Sequence, residues 1–122
     1  MSQDEDKKEE FVLQTKADFF ANYSLEALTN EKIFPVKYKR ITDRLQDYAL
    51  DVPWLIQEGN YFKETRYTSG RKAIMVLTRF SKILEMLYRL DSNFGKKKMN
   101  YWKGLACEVK RMTQAWIKPY QK

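Results

Sequence analysis

The 122-residue chain predicts an all-α fold, an antiparallel up-and-down four-helix bundle. Three observations carry this. Apolar residues recur at steps of three and four along four separate stretches, the period of an amphipathic helix. Four glycines and three prolines supply too few turn-formers for a sandwich of many short strands. The connections between the stretches are short, which favours antiparallel neighbours. This length suits a single domain, residues 8–122, preceded by an acidic N-terminus, residues 1–7, that is expected to be disordered.

The first helix is expected from Lys8 to Asn30, with Leu13, Ala17, Phe20, Ser24 and Leu28 on one stripe. The run 33-IFPVKYK-39 breaks the pattern, because Pro35 and the residue before it disfavour helix. The second helix, Thr42 to Phe62, places Ile41, Leu45, Tyr48, Val52, Leu55, Gly59 and Phe62 at alternating steps of four and three, a heptad-like seam. Pro53 inside it predicts a kink, and Gly59 on the seam predicts a close helix–helix approach. The third helix, Ser69 to Ser92, turns Ala73, Leu77, Phe80, Leu84, Leu87 and Leu90 inward. The segment 92-SNFG-95 reads as its stop, with Gly95 as a left-handed C-terminal cap. The fourth helix, Lys98 to Lys118, buries Trp102, Leu105, Ala106, Val109, Met112 and Trp116, and Pro119 ends it.

The net charge of +7 is unevenly spread. Residues 1–31 hold eight acids and three lysines, a net of −5, whereas residues 32–122 hold twenty Lys/Arg and eight acids, a net of +12. So basic a body suits a polyanionic partner, nucleic acid first. The opposite charge of residues 1–31 raises the idea that they compete for the basic face. No apolar run approaches the 18 or so residues that span a bilayer. The acidic start, 1-MSQDEDKKEEF-11, lacks the apolar segment of a signal peptide. The single Cys107 excludes an intrachain disulfide and fits a reducing cytoplasm.

With no histidine the usual zinc spacings are absent, and Cys107 lacks a base that would make it a nucleophile. Asp43, Asp47 and Asp51 step four apart on the second helix and read as a solvated face, with Lys39, Arg40 and Arg44 at hand for weak ion pairs. The glycines form no phosphate-binding loop. The chain is therefore expected not to be an enzyme and to need neither metal nor cofactor.

The basic residues are the candidate nucleic-acid-binding set. Lys37, Lys39, Arg40 and Arg44 lie around the start of the second helix. Arg79, Lys82 and Arg89 recur with Met75 and Met86 opposite the core stripe of the third. Lys103, Lys110, Arg111 and Lys118 share the outer face of the fourth. Such faces either track phosphates or form ordinary solvated surface, and both readings stay open here. Lys96, Lys97 and Lys98 stand at the positive end of the fourth helix, where the macrodipole disfavours cations. They either cap the carbonyls of the third helix or, beside free backbone N–H groups, make a phosphate-docking corner. Trp54 and Tyr61, seven apart and off the seam, are expected with Met75 and Met86 at a subunit or partner interface.

The run 34-FPVKYKRITDRLQDYALDV-52, followed by 58-EGNYFK-63, resembles the Avd-like four-helix-bundle family, the accessory variability determinants of diversity-generating retroelements. Arg40, Ile41, Thr42, Arg44 and Leu45 resemble its Arg-phi-Thr-x-x-Arg-phi segment (phi apolar), with one residue, Asp43, in place of two between Thr42 and Arg44, and Glu58, Asn60 and Tyr61 resemble its Glu-Ala-Asn-Tyr-like stretch. The run 76-VLTRFSKILEMLYRL-90 resembles the family's leucine-rich third helix. The ending 108-EVKRMTQAWIK-118 resembles its close, through Glu108, Arg111, Met112, Trp116 and Ile117. Together these cover roughly residues 32 to 118. Gly59 stands where such chains more often have Ala, and Thr113, Gln114 and Ala115 replace a Leu-Gly-Gly. Val52, Pro53, Glu58 and Gly59 also resemble the Ile-Pro…Glu-Gly element of the related ribosomal RNA intervening-sequence bundle proteins.

The resemblance implies a ring-like homo-oligomer, a pentamer, of basic bundles. Such a protein binds a reverse transcriptase and structured template RNA, or DNA, and supports mutagenic complementary-DNA synthesis without performing it. The alternatives are a ribosomal RNA intervening-sequence type of bundle, or a helical interaction scaffold for an acidic protein partner.

Overall fold

Four helices make up almost all of the chain: α1 (Gln3–Leu28), α2 (Lys39–Tyr61), α3 (Arg66–Leu90) and α4 (Lys96–Ile117). Short 3-10 turns lead into α2 (Val36–Tyr38) and α3 (Lys63–Thr65) and follow α4 (Lys118–Tyr120). The computed structural model describes residues 3–91 and 94–121. Each helix packs on the next and α1 closes against α4, so α1/α3 and α2/α4 are the diagonal pairs. At one end Arg66 at the start of α3 bonds Glu10 near the start of α1 and Gly59 near the end of α2. At the other, Trp102 near the start of α4 bonds Ser24 near the end of α1. The chain therefore runs up and down, as a bundle of antiparallel neighbours.

The helices start earlier than their apolar stripes. The α1 backbone is helical from Gln3, so residues 3–7, expected to be disordered, belong to it; residues 1 and 2 lie outside the described residues. Its stripe is as expected, with Leu13, Ala17, Phe20, Ser24 and Leu28 all buried. That burial holds the stretch from Leu13 to Leu28 in the core.

The seam of α2 is rotated from its expected position. Thr42, Leu45, Ala49, Val52, Ile56 and Gly59 are buried, whereas Ile41, Tyr48 and Leu55 are half-buried and Phe62 is exposed. Both residue sets keep the same three-and-four rhythm. Thr42, Ala49 and Ile56 take the inward places that Ile41, Tyr48 and Leu55 were expected to hold. The helix continues through Pro53, whose own carbonyl accepts a bond from the Gln14 amide at 3.1 Å.

On α3 the inward residues are as expected except Leu90, which is 64% exposed at the helix end. The expected end at Ser92 lies outside the described residues; α3 ends at Leu90, with the Asp91 N–H bonding the Leu87 carbonyl. Gly95 is not a cap of α3. It is the N-cap of α4, with φ +77° and ψ 153°, a region open essentially to glycine alone. On α4 Trp102, Ala106, Val109 and Trp116 are buried as expected, Leu105 and Met112 are only half-buried, and Met99, Thr113 and Ile117 join the buried set.

Two features organise the core. Toward the α4 start, Trp102 is fully buried, with Tyr23, Phe34, Phe80 and Phe94 ring centroids 5.8–6.1 Å away. Its indole N–H donates to the Ser24 hydroxyl at 2.8 Å, which accounts for a serine on an apolar stripe. At the opposite end, Gly59 gives way to Trp116: a Cβ there would lie 2.3 Å from the indole Cη2 and 3.3 Å from the Arg66 Cα. The close approach expected at Gly59 is thus an aromatic ring pressed on bare backbone. Gly59→Ala is expected to cost about 1–3 kcal/mol by overpacking, outweighing the better helix propensity of alanine. Urea unfolding will measure this, and a Gly59→Ala/Trp116→Leu double variant less destabilised than the sum of the single ones will assign the cost to that contact.

Candidate nucleic-acid interface

The helical frame sorts the charge by side. Helix α3 carries six basic residues against one acid, Glu85, and α4 carries six against one acid, Glu108. Helices α1 and α2 together carry eleven acids against six basic residues. One half of the bundle is thus net +10 and the other net −5.

Both acids of the basic half are occupied. Glu85 pairs with Lys103 across the α3–α4 boundary, and Glu108 pairs with Lys16 of α1 at 3.3 Å. The hydrogen bond and charge of Lys103 hold the Glu85 carboxyl below its ordinary range, opposed by desolvation and helped to a lesser extent by Arg89 and Lys82. A depressed carboxylate contributes its share of stability above the pKa it has in the unfolded chain and loses it as pH falls through the folded value. Acid is therefore expected to weaken the pair and release Lys103, as the Glu85 carboxylate is protonated.

The outer face of α3 presents Arg79, Lys82 and Arg89 with Met75 and Met86, all exposed. Arg71 and Lys72, which sequence reasoning left out, are exposed on the same helix; their three- and four-residue steps to Met75 were the signal available. Arg71 and Arg79 stand two turns apart and, with Tyr67 and Gln121, line an open groove of about 630 Å³. The Arg71 guanidinium donates to the Tyr67 hydroxyl at 3.3 Å and lies 5.7 Å from its ring. A groove with spaced arginines and an aromatic wall has the elements that hold phosphates and stack bases.

Helix α4 is less uniform than its sequence suggests. Lys103 leans to α3 and is spent on Glu85, while Arg111 lines a cavity of about 530 Å³ with Lys8, Glu9 and Glu10 on the α1 side. Lys110 is half-buried, and Lys118 is exposed in the final turn. Lys96, Lys97 and Lys98 form the first turn of α4 itself, two residues earlier than expected, and no side chain caps that end. Among the described residues no hydrogen bond ties them to α3 carbonyls; Lys98 instead lies 5.2 Å from the Tyr23 ring. Three cations at a helix N-terminus cost about 0.3–1 kcal/mol each at low ionic strength, a cost that a docked anion reverses.

Lys37, Lys39, Arg40 and Arg44 stand apart from this face, around the start of the diagonal helix α2. They share an end of the bundle with Lys96–Lys98. Lys39 pairs with Asp43 at 2.8 Å, Lys37 lies 5.1 Å from the Tyr38 ring and Arg44 6.0 Å from that of Tyr48. The aspartate ladder lies on an exposed face: Asp43 is taken by Lys39, and partial burial, with the charge of Asp47, raises the Asp51 carboxyl above its ordinary range. Among the described residues no three metal-ligating side chains gather, and no helix is long and apolar enough to cross a membrane. Trp54, Tyr61, Met75 and Met86 are all exposed, the first two on the acidic half and the methionines on the basic one.

Arg66 was invisible to sequence reasoning. It is buried, donates to the Gly59 carbonyl and the Tyr120 hydroxyl, and pairs with Glu10. Nothing in 64-ETRYTSG-70 marks one arginine among many as internal. Comparison with protein-family models, curated proteins and solved structures gives no match.

Proposed function

We propose that this chain is a non-catalytic nucleic-acid-binding accessory protein whose α3–α4 half engages the phosphates of structured RNA. The observation that carries the reading is the one-sided charge: twelve basic residues against two acids on two adjacent helices, ten of the twelve left once Arg66 is buried on Glu10 and Lys103 is paired with Glu85. Phosphate contacts of this kind supply affinity without base-edge specificity. The Avd-like segments extend the reading to a reverse transcriptase partner, template RNA of a diversity-generating retroelement and a homopentameric ring, working in a reducing cytoplasm. The opposed charge of the two halves favours head-to-tail contacts between copies, the kind that close into rings. Light scattering after size exclusion is expected to give a multiple of the monomer mass that falls as salt rises.

The decisive experiment is fluorescence anisotropy with a structured RNA and a matched duplex DNA, titrated across salt. Binding with a steep negative salt slope, tighter for RNA, is the expected result. Changing Lys96, Lys97 and Lys98 together to glutamate should weaken it about tenfold and flatten the slope by up to about 3. Unchanged affinity would remove that corner from the site. Absence of binding to either nucleic acid at low salt would overturn the reading, and an acidic protein retained after nuclease treatment would replace it.

A further inference from the structure

We propose that the last two turns of α2 form a cleft for an arginine side chain of a protein partner. On a helix surface, residues three and four apart stand side by side, and a glutamate commonly pairs there with Lys or Arg. Around Glu58 the neighbours at those spacings are Trp54, Leu55, Tyr61 and Phe62. Among the described residues Glu58 makes no ion pair. Trp54, Tyr61 and Phe62 are 71%, 79% and 52% exposed, and with Gln57 and Glu58 they line a cleft of about 300 Å³. The Tyr61 and Phe62 rings tilt against each other with centroids 5.6 Å apart. Trp54 precedes Tyr61 by about 10 Å of helix rise, and Glu58 projects from the turn between them. Ring faces around a lone carboxylate suit a cation and repel an anion.

The molecule holds a filled version of this constellation at the same end of the bundle. The Arg66 guanidinium lies 4.9 Å from the Trp116 ring and 5.2 Å from the Tyr120 ring, and it pairs with Glu10. A tryptophan, a tyrosine and a glutamate hold an arginine inside the fold. Trp54, Tyr61 and Glu58 repeat that set on the surface with no arginine in it. A guanidinium fits better than an ammonium because it is planar, stacks on rings and forks onto a carboxylate. The cleft belongs to the net-acidic half of the bundle, which draws a basic protein segment to this side and away from α3–α4. The proposal does not rest on nucleic-acid binding, which uses the opposite half and the opposite charge.

The test titrates the isotope-labelled full chain with the peptide Ac-Gly-Arg-Gly-NH2 and with its citrulline counterpart, which keeps the shape and loses the charge. The readout is the three tryptophan indole N–H resonances. The Trp54 signal alone should move and saturate at roughly 1–10 mM arginine peptide. Citrulline should bind about fivefold more weakly or worse, and Glu58→Gln and Tyr61→Ala should each weaken the arginine response by a similar factor. Unmoved Trp102 and Trp116 signals establish that these surface variants remain folded. An equal response to citrulline, a Glu58→Gln variant that binds as well, or a Trp54 signal that stays put overturns the proposal. So does movement caused only by adenosine monophosphate, which assigns the cleft to a stacked base, or only by diluting the protein, which assigns it to a second copy.

Discussion

Trp102→Ala is expected to lower the unfolding free energy by about 3–5 kcal/mol, a large part of the stability of a domain this size. The indole is fully buried and touches rings contributed by α1, α3 and both interhelical connections at that end. Its removal leaves a cavity that those four rings, held by their own backbones, cannot fill. It also strips the Ser24 hydroxyl, itself fully buried, of its partner. Trp102→Phe separates the two effects, since it retains most of the volume and loses the donor. In a Ser24→Ala background that replacement should cost about 1 kcal/mol less than in the wild-type chain. Circular dichroism at increasing urea will measure each variant. A Trp102→Ala loss below about 1 kcal/mol would mean that the ring cluster closes over the gap and is not the anchor of this end.

Arg66→Ala should cost a similar amount, about 3–5 kcal/mol, for a different reason. The Arg66 and Glu10 side chains are 6% and 19% exposed, so removing the cation leaves a carboxylate with little water to solvate it. The Gly59 carbonyl and the Tyr120 hydroxyl lose donors in the same step, and Trp116 and Tyr120 lose the cation on their faces. Arg66→Lys is not a mild change here, because an ammonium can neither fork between three acceptors nor stack between two rings. Adding Glu10→Gln to Arg66→Ala should recover part of the loss, and the double-mutant cycle gives the coupling directly. A coupling under about 0.5 kcal/mol would show that the pair is no more than a surface ion pair. Raised salt should leave the cost nearly unchanged, since buried pairs are poorly screened.

Read alone, the sequence determined the helical class, the four elements and most of their inward faces. Leu13, Ala17, Phe20, Leu77, Phe80, Leu84 and Trp102 carry enough hydrophobic signal at helical spacing to fix a face without tertiary information. Helix starts were misjudged because lysines and acids carry no such signal: Gln3–Lys7 and Lys96–Lys97 are helical because they continue the turns of α1 and α4 toward the N-terminus. The α2 face was misjudged because apolar residues stand on both sides of Leu45 and Val52: Ile41, Tyr48 and Leu55 offer one seam and Ala49 and Ile56 the other, and periodicity alone does not choose between them.

The candidate interface divides the same way. That the body is basic comes from counting residues, whereas which basic residues act together depends on how helices pair. Packing set α3 beside α4, spent Lys103 on Glu85, turned Arg111 toward α1 and left Arg71 and Arg79 along one groove. It also drew Arg66 into the core, because Gly59, Trp116, Tyr120 and Glu10, drawn from the other three helices and the final turn, converge on one point. Periodicity is a local property and survives in the sequence. Burial of a charge depends on partners brought from distant elements, and only the folded chain supplies them.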